Sequence, residues 1–177
     1  AGLIQGSDGN LYGTTSQGGT NAPPTGYGTI FRLTPAGSLQ SLASFNNVNG
    51  ANPRASLVQS TDGFLYGTTE LGGANNQGTV FRASTNGVIE VVASCTYSNG
   101  TRPAARLLPG ADGSWYGTAQ FGGANNRGTV FRVKNGVLTN LAFFSLTNGA
   151  TPYGEVIQGP DGVLYGATVN GGAFGWG

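Results

Sequence analysis

The sequence predicts an all-β protein: a β-propeller of four-stranded antiparallel blades, with about three and a half blades present in 177 residues. Three observations support this prediction. A unit recurs about every fifty residues, tight-turn dipeptides separate short apolar runs, and no segment keeps a helical apolar period over ten residues. A unit that cannot bury both of its faces alone is typical of repeat architectures.

The repeat is clearest in one glycine-rich segment that occurs four times. Its copies are DGNLYGTTSQGG from Asp8, DGFLYGTTELGG from Asp62, DGSWYGTAQFGG from Asp112 and DGVLYGATVNGG from Asp161. Successive copies lie 54, 50 and 49 residues apart, and the longer first interval arises in the loop TNAPPTGY over 20–27. The chain therefore reads as a single repeat domain, 1–177, with one tolerant loop.

Each unit contains four short strands, as the second copy illustrates. The predicted strands are ASLVQS (55–60), FLYGTT (64–69), GTVFRAS (78–84) and VIEVVAS (88–94). Asp-Gly separates the first two and Asn-Gly the last two, and glycine accepts the positive φ that tight hairpin turns require. Each unit is therefore predicted to be an antiparallel meander.

Meanders of this length stack about a common axis in β-propellers, where each blade contacts only its neighbours. The predicted segments are blade 1 at 1–48, blade 2 at 55–98, blade 3 at 105–147 and a half-blade at 154–177. Propellers typically have about four to eight blades, and bare sheet edges invite pairing. We therefore expect the missing remainder of a longer chain to complete the ring, or other copies of the chain to close it or extend a fibre.

Two positions of the repeat are predicted to serve packing. The glycines Gly13, Gly67, Gly117 and Gly166 would let the next blade approach, and the tyrosine before each would fill the gap between blades. The side chains expected to be buried are those of Tyr66, Tyr116, Phe81, Phe131 and Cys95. Those expected to be exposed are Asn76, Asn126 and Arg127.

Charge and hydropathy exclude two classes of partner. Charged residues make up 8% of the chain and the net charge is +1, whereas typical soluble domains have about 25% charged residues. No basic run supports a nucleic-acid partner. No apolar run reaches the roughly 18 residues of a membrane span. The sequence predicts neither a nucleic-acid interface nor a membrane-spanning segment.

Few residues are suited to catalysis. The chain has no histidine, the commonest general base and metal ligand near neutral pH. The hairpin aspartates are interpreted as turn formers, ahead of a carboxylate pair for glycoside hydrolysis or a calcium site. The sequence therefore predicts that the protein is not an enzyme and has no catalytic residue, metal or cofactor. The recurring Arg32, Arg82 and Arg132 are predicted to pair with hairpin aspartates or to cap backbone carbonyls.

The combination of DG-x-LYGTT-x-x-GG, GTVFR and NG-x-x-P resembles the extracellular repeat family often called the Gloeo/Verruco repeat. It is more distantly similar to the two-component-regulator propeller repeats with their DG-x-LWIGT. The resemblance covers essentially the whole chain. It implies a β-propeller in secreted or surface-attached bacterial proteins, hence an extracellular or cell-surface location. It implies no established reaction.

If the protein has a binding site, the repeat pattern predicts that it lies on one face of the propeller, here called the long-loop face. It comprises the loops between second and third strands and the connections between blades: 20–27, 74–77, 124–127, 173–176, 46–54, 96–104 and 145–153. The candidate ligand-binding residues there are Asn75, Asn76, Tyr97, Arg102, Asn125, Asn126, Arg127 and Trp176. Amides beside aromatic rings suit neutral sugars or a protein partner.

Two functional hypotheses stay open at this point. The first is a structural or assembly module, such as a subunit of a surface layer or a fibre, in which the partners are other copies of the chain. It draws on the low charge and the near-identical repeats. The second is a glycan-binding or protein-binding module that uses the long-loop face.

Overall fold

A computed structural model describes residues 2–21 and 24–177. Residues 22 and 23, part of the predicted tolerant loop 20–27, lie outside the described residues. Strands and tight turns make up the regular structure of the described chain. No helix in the described ranges is long and apolar enough to cross a membrane.

Three four-stranded antiparallel sheets follow one another along the chain. Blade 1 contains β1 (Ile4–Gln5), β2 (Leu11–Thr15), β3 (Thr29–Leu33) and β4 (Leu39–Ser44). Blade 2 contains β5 (Val58–Gln59), β6 (Leu65–Thr69), β7 (Thr79–Ala83) and β8 (Ile89–Ser94). Blade 3 contains β9 (Leu108–Pro109), β10 (Trp115–Ala119), β11 (Thr129–Lys134) and β12 (Val137–Phe143). The strands keep chain order across each sheet, as a meander requires.

The last part of the chain forms two two-stranded sheets. β14 (Ile157–Gln158) pairs with β15 (Leu164–Tyr165), which is the predicted hairpin of the half-blade. β13 (Ala150–Pro152) pairs with β16 (Thr168–Asn170), although the sequence analysis predicted 145–153 as a connection between blades. The blade limits proposed from the sequence stay predictions.

The Asp-Gly turns are held by the aspartate side chains. Asp62 Oδ1 accepts the Phe64 amide proton at 3.0 Å, and Oδ2 accepts the Tyr66 hydroxyl proton at 3.0 Å. Tyr12 and Tyr165 donate the equivalent hydrogen bonds to Asp8 and Asp161. These two bonds lower the pKa of the Asp8 and Asp161 carboxyls. These contacts agree with the interpretation of the repeated aspartates as turn formers.

Blade 1 and blade 2 bury an apolar cluster between them. Tyr12 and Ile30 of blade 1 pack against Leu65 and Phe81 of blade 2. The Phe81 ring meets the Phe45 ring edge-on, with the centroids 5.1 Å apart. Such aromatic pairs stabilise beyond their buried area.

Blade 2 and blade 3 repeat this packing with different side chains. The Tyr66 ring stacks on the Trp115 ring, with the centroids 4.1 Å apart. Phe131 is fully buried in the same cluster. Tyr116 is only half-buried, contrary to expectation, because its face meets the half-blade rather than a complete sheet.

The strand glycines make room for a ring of their own blade, so the prediction that they admit the next blade is wrong. A Cβ on Gly67 would lie 2.7 Å from Phe81 Cζ and 3.0 Å from Leu57 Cδ2, both within blade 2. The equivalent Phe31 and Phe131 atoms would lie 2.6 Å from a Cβ on Gly13 and Gly117. Each third-strand phenylalanine therefore covers the glycine of the second strand.

Two of the three recurring arginines, Arg32 and Arg82, have partners on the fourth strand, so the prediction that these two pair with the hairpin aspartates is wrong. An Arg82 guanidinium nitrogen lies 2.6 Å from a Glu90 carboxylate oxygen, and Arg32 donates to Gln40 Oε1 at 2.7 Å. The cross-strand register places Arg32 opposite Gln40 and Arg82 opposite Glu90. Arg132 lies opposite Thr139, and its Nε has no hydrogen-bond partner in the described chain. Cys95 is fully buried, and burial raises the pKa of its thiol to about 12.

Candidate functional site

Three grooves open on the long-loop face, one at each blade junction. Their volumes are about 450 Å³ between blades 1 and 2, 470 Å³ between blades 2 and 3, and 590 Å³ between blade 3 and the half-blade. The second, here called the central groove, is lined by Leu71, Asn76, Gln77, Tyr97, Thr101, Arg102, Phe121 and Asn126.

Each groove is lined by a residue that directly precedes a proline and lies in the left-handed backbone region. These are Asn52, Arg102 and Thr151, with φ of 55°, 55° and 54°. Such φ values cost a residue with a side chain roughly 1–2 kcal/mol. Backbone hydrogen bonds across the junction hold the conformation: the Arg102 amide donates to the Gln77 carbonyl at 3.0 Å, and the Gln120 amide donates to the Arg102 carbonyl at 3.4 Å. The fold thus fixes one backbone shape and varies its side chain.

Arg102 is the charged group of the central groove. Its guanidinium carbon lies 5.6 Å from the centre of the Phe121 ring. Its Nη1 is 4.0 Å from Glu70 Oε1, whereas Arg54 Nε lies 2.7 Å from Glu70 Oε2. Because Glu70 pairs closely with Arg54, the Arg102 guanidinium keeps donors free, and its side chain is half exposed.

The asparagines of the 74–77 and 124–127 loops divide into two kinds. Asn75 Nδ2 donates to the Cys95 carbonyl at 3.0 Å and Asn125 Nδ2 to the Phe144 carbonyl at 3.1 Å, so these two amides fix the loops. Asn76 Oδ1 accepts from the Gly72 amide at 3.2 Å and Asn126 Oδ1 from the Gly122 amide at 2.9 Å. The Nδ2 groups of Asn76 and Asn126 have no hydrogen-bond partner within the described chain and line the groove.

The structure therefore brings together four of the eight sequence-predicted residues, namely Asn76, Tyr97, Arg102 and Asn126. Arg127 lines the next groove. Trp176 is 88% exposed near the last residues of the half-blade, away from the central groove. Whether any of these residues binds a ligand stays a prediction.

Sequence reasoning missed Phe121, Thr101 and Gln77. Phe121 lies two residues after the end of β10, and its bridge to Thr101 brings it to the groove. Phe121 occupies the same repeat position as Leu71, and Leu71 lines both the central groove and the groove between blades 1 and 2. This equivalence of position was the sequence signal for Phe121.

Charge is divided between the two faces of the molecule. The loops of the long-loop face carry Arg54, Arg102 and Arg127 and no acidic residue, and Glu70 lies just outside them beside Arg54. The tight-turn side carries all four hairpin aspartates, against Lys134, which pairs with Asp112 at 2.8 Å. The Lys134 ammonium lowers the pKa of the Asp112 carboxyl. The long-loop face is therefore positive and the opposite face negative.

Metal-binding groups are sparse in this arrangement. Within residues 2–21 and 24–177, no three histidine, cysteine, aspartate or glutamate side chains are clustered so that they could hold a metal ion. The chemistry available in the central groove is therefore that of hydrogen-bond donors, one guanidinium group and aromatic rings.

Comparison with known sequences and structures places the fold. The profile of the Gloeobacter/Verrucomicrobia repeat matches residues 1–177. The comparison with curated proteins gave no match. Similar solved structures include a protein described provisionally as a gluconolactonase (17% identity, TM-score 0.58, 94% of this chain and 54% of that chain). A gluconolactonase from Xanthomonas campestris is also similar (19% identity, TM-score 0.57, covering 93% of this chain and 53% of that chain). A protein of unknown function from Dyadobacter fermentans is similar too (13% identity, TM-score 0.52, covering 93% of this chain and 61% of that chain).

These comparisons confirm the predicted fold and correct one prediction. The chain is a β-propeller repeat module, and it spans about half the length of the two gluconolactonase-type structures. The prediction that the protein is not an enzyme is contradicted by the gluconolactonase descriptions of the similar structures, which show that this fold also occurs in enzymes. That prediction relied on the absence of histidine, yet a propeller can place carboxylates and arginines from several blades side by side, as Glu70, Arg54 and Arg102 show.

Proposed function

This chain belongs to the Gloeobacter/Verrucomicrobia repeat family, and we propose that it acts as an assembly module whose two end faces are covered by further blades of the same repeat. We place the module outside the cell or on its surface, as the family resemblance and the low charge suggest. One observation carries the proposal: apolar side chains at equivalent repeat positions are buried at the junctions between blades and exposed on the first blade and the half-blade.

The half-blade presents one open end face. Ile157 and Tyr165 are 59% and 50% exposed, whereas the equivalent Val58 and Tyr66 of blade 2 are 6% and 7% exposed. Trp176, which bridges to Gly171 in the same half-blade, is 88% exposed as well. In blades 1 to 3 the second strand pairs with a third strand of the GT[IV]F type, and β15 has no such partner in the described chain. A third strand of the GT[IV]F type, from another copy or from a longer chain, would therefore fit against β15.

Blade 1 presents the other open end face. Leu3 is 51% exposed, whereas the equivalent Leu57 and Leu107 are fully buried against the preceding blade. Phe31 is half-buried, while Phe81 and Phe131 are fully buried. The two end faces thus have the chemistry of the two sides of one internal junction, and blades of another copy or of a longer chain would fit both.

Association of the 1–177 chain is the direct test. We expect light scattering to detect concentration-dependent oligomers, because a contact at the end faces should bury on the order of 1,000 Å². Replacing Trp176 or Ile157 with serine should raise the dissociation constant about tenfold, as the loss of an apolar anchor does. Val88→Ser is the matched control, because Val88 is 56% exposed at a tight turn of blade 2, away from both ends.

A stable monomer that is unchanged by Trp176→Ser and Ile157→Ser would contradict assembly from copies of this chain. Equal weakening by Val88→Ser would indicate nonspecific association through exposed apolar side chains. Extension of the chain by further repeats should abolish the association if those repeats cover the end faces instead.

Ligand binding on the long-loop face is a second candidate function. Its support is the central groove, which is lined by the Arg102 guanidinium and by the side-chain amide nitrogens of Asn76 and Asn126. Tyr97, which is 70% exposed, lines the same groove. Pockets of this size commonly hold small ligands or parts of larger ones. A glycan or a protein would be the ligand.

Hydrolysis of a sugar lactone is the enzymatic candidate that the similar structures add. Glu70 is the carboxylate best placed for it, because its side chain is only 13% exposed and lies beside Arg54 and Arg102. A positioned carboxylate can act as a general base. We expect gluconolactone to open faster with the protein than in buffer, and Glu70→Gln to return the rate to that of buffer. Glu90→Gln, on the outer strand, should keep full activity, and rates equal to buffer for the unchanged protein would exclude this activity.

A further inference from the structure

We infer that the central groove binds a carboxylate-bearing sugar, with Arg102 pairing with the carboxylate and the Asn76 and Asn126 amides donating hydrogen bonds to its oxygens. The inference rests on the binding function proposed for the long-loop face and specifies its ligand class.

The charge of the face favours an anion. Arg102 is one of three arginines in the loops of the long-loop face, with Arg54 and Arg127, and none of these loops contains an acidic residue. Glu70, the acidic group nearest to Arg102, lies 2.7 Å from Arg54 and 4.0 Å from Arg102. The carboxylate of Glu70 is thus largely neutralised by Arg54, and the guanidinium of Arg102 can take a second carboxylate in the bidentate geometry that arginine prefers.

Two further hydrogen-bond donors line the groove. Asn76 and Asn126 use their Oδ1 atoms for loop hydrogen bonds, which orients both Nδ2 groups toward other partners. Carboxylate and hydroxyl oxygens of a sugar acid accept such bonds. Tyr97 and Phe121 offer aromatic surface beside these donors, which suits the apolar face of a sugar ring.

The backbone around the groove argues for a sugar rather than an acidic peptide. An extended peptide gains affinity by pairing with a free sheet edge. Here the amides of Thr101 and Phe121 donate to each other's carbonyls, and the Arg102 amide and carbonyl are both hydrogen-bonded. The backbone at this point leaves no free edge, so recognition falls to the side chains.

The test compares trigalacturonate with its fully methyl-esterified form, which keeps the sugar rings and removes the charge. Calorimetric titration of the 1–177 chain should give binding of the acid at least about tenfold tighter than binding of the ester, as hydrogen bonds to a charged group imply. Binding of the acid should weaken with added salt. Equal affinity for acid and ester, or no binding of the acid, would overturn the inference.

Two variants locate the site without disturbing the backbone. Arg102→Asn introduces the residue that occupies the equivalent position 52 at the same φ of 55°. Asn126→Asp keeps the oxygen that accepts the Gly122 amide proton and places a negative charge in the groove. Both should weaken binding about tenfold or more. Lys134→Gln removes one positive charge from the opposite face and should leave binding unchanged.

The outcomes separate this inference from the functions on which it draws. Ester binding equal to acid binding, lost in Arg102→Asn, would keep the binding function and reject the anionic ligand. Tighter binding of a glutamate-rich peptide than of trigalacturonate would assign the groove to a protein partner. Retention of binding in both variants would place the sugar elsewhere, and light scattering on the same samples reports assembly independently.

Discussion

Replacing Phe81 with alanine is expected to lower the free energy of unfolding by about 3–5 kcal/mol, the range for a buried phenylalanine. Phe81 is fully buried, its ring meets Phe45 edge-on, and it closes the contact between blades 1 and 2. The truncation leaves a cavity that the surrounding strands cannot fill, because their positions are fixed by cross-strand hydrogen bonds. Urea unfolding at fixed protein concentration measures the change.

Phe31→Ala is the matched control for this prediction. Phe31 covers Gly13 as Phe81 covers Gly67, but it lies on the open face of blade 1 and is half-buried. Truncation there should cost only about 1–2 kcal/mol, in proportion to the smaller area removed from water. Equal costs at both positions would show that Phe31 is buried in solution, as the proposed assembly requires at that end face.

The fold was predictable from the sequence because local signals agree with one another. The Asp-Gly and Asn-Gly turns lie where the β-hairpins turn, and the equivalent apolar positions of successive copies are buried at equivalent places. The pair β13 with β16 escaped prediction because Ala150–Pro152 is short, contains proline and follows an asparagine–glycine turn. Its strand character comes from a partner twenty residues away, which no local pattern indicates.

The candidate site was predictable only in part. The sequence indicated the long-loop face, and the structure places Asn76, Tyr97, Arg102 and Asn126 together there. Asn75 belongs to the same loop but its amide fixes the loop, and residue type alone does not distinguish it from Asn76. The partial pairing of Arg102 with Glu70 depends on the competing Arg54, a contact between side chains sixteen residues apart in the chain.

The glycine of the repeated LYGTT segment provides the second large effect. Gly67→Ala should lower the free energy of unfolding by about 1–3 kcal/mol, the usual cost of overpacking a core. The added Cβ would lie 2.7 Å from Phe81 Cζ and 3.0 Å from Leu57 Cδ2, and both side chains are fully buried. The ring must therefore move toward Phe45 and disturb the junction of blades 1 and 2.

Gly166→Ala, the same substitution in the half-blade, separates overpacking from a loss of backbone freedom. A Cβ there would lie 3.3 Å from Val156 Cγ1 and 3.8 Å from the Glu155 carbonyl oxygen. Neither glycine has the positive φ that alanine avoids. Gly166→Ala should therefore be neutral, or should stabilise by about 0.4–1 kcal/mol because alanine restricts the unfolded chain. If both variants lose the same stability, the glycine serves the backbone of the strand. If only Gly67→Ala lowers the stability, we expect Phe81→Leu in the same chain to restore part of the lost free energy of unfolding, because it makes room for the added methyl group. That result would show that the glycine is required to accommodate the phenylalanine ring.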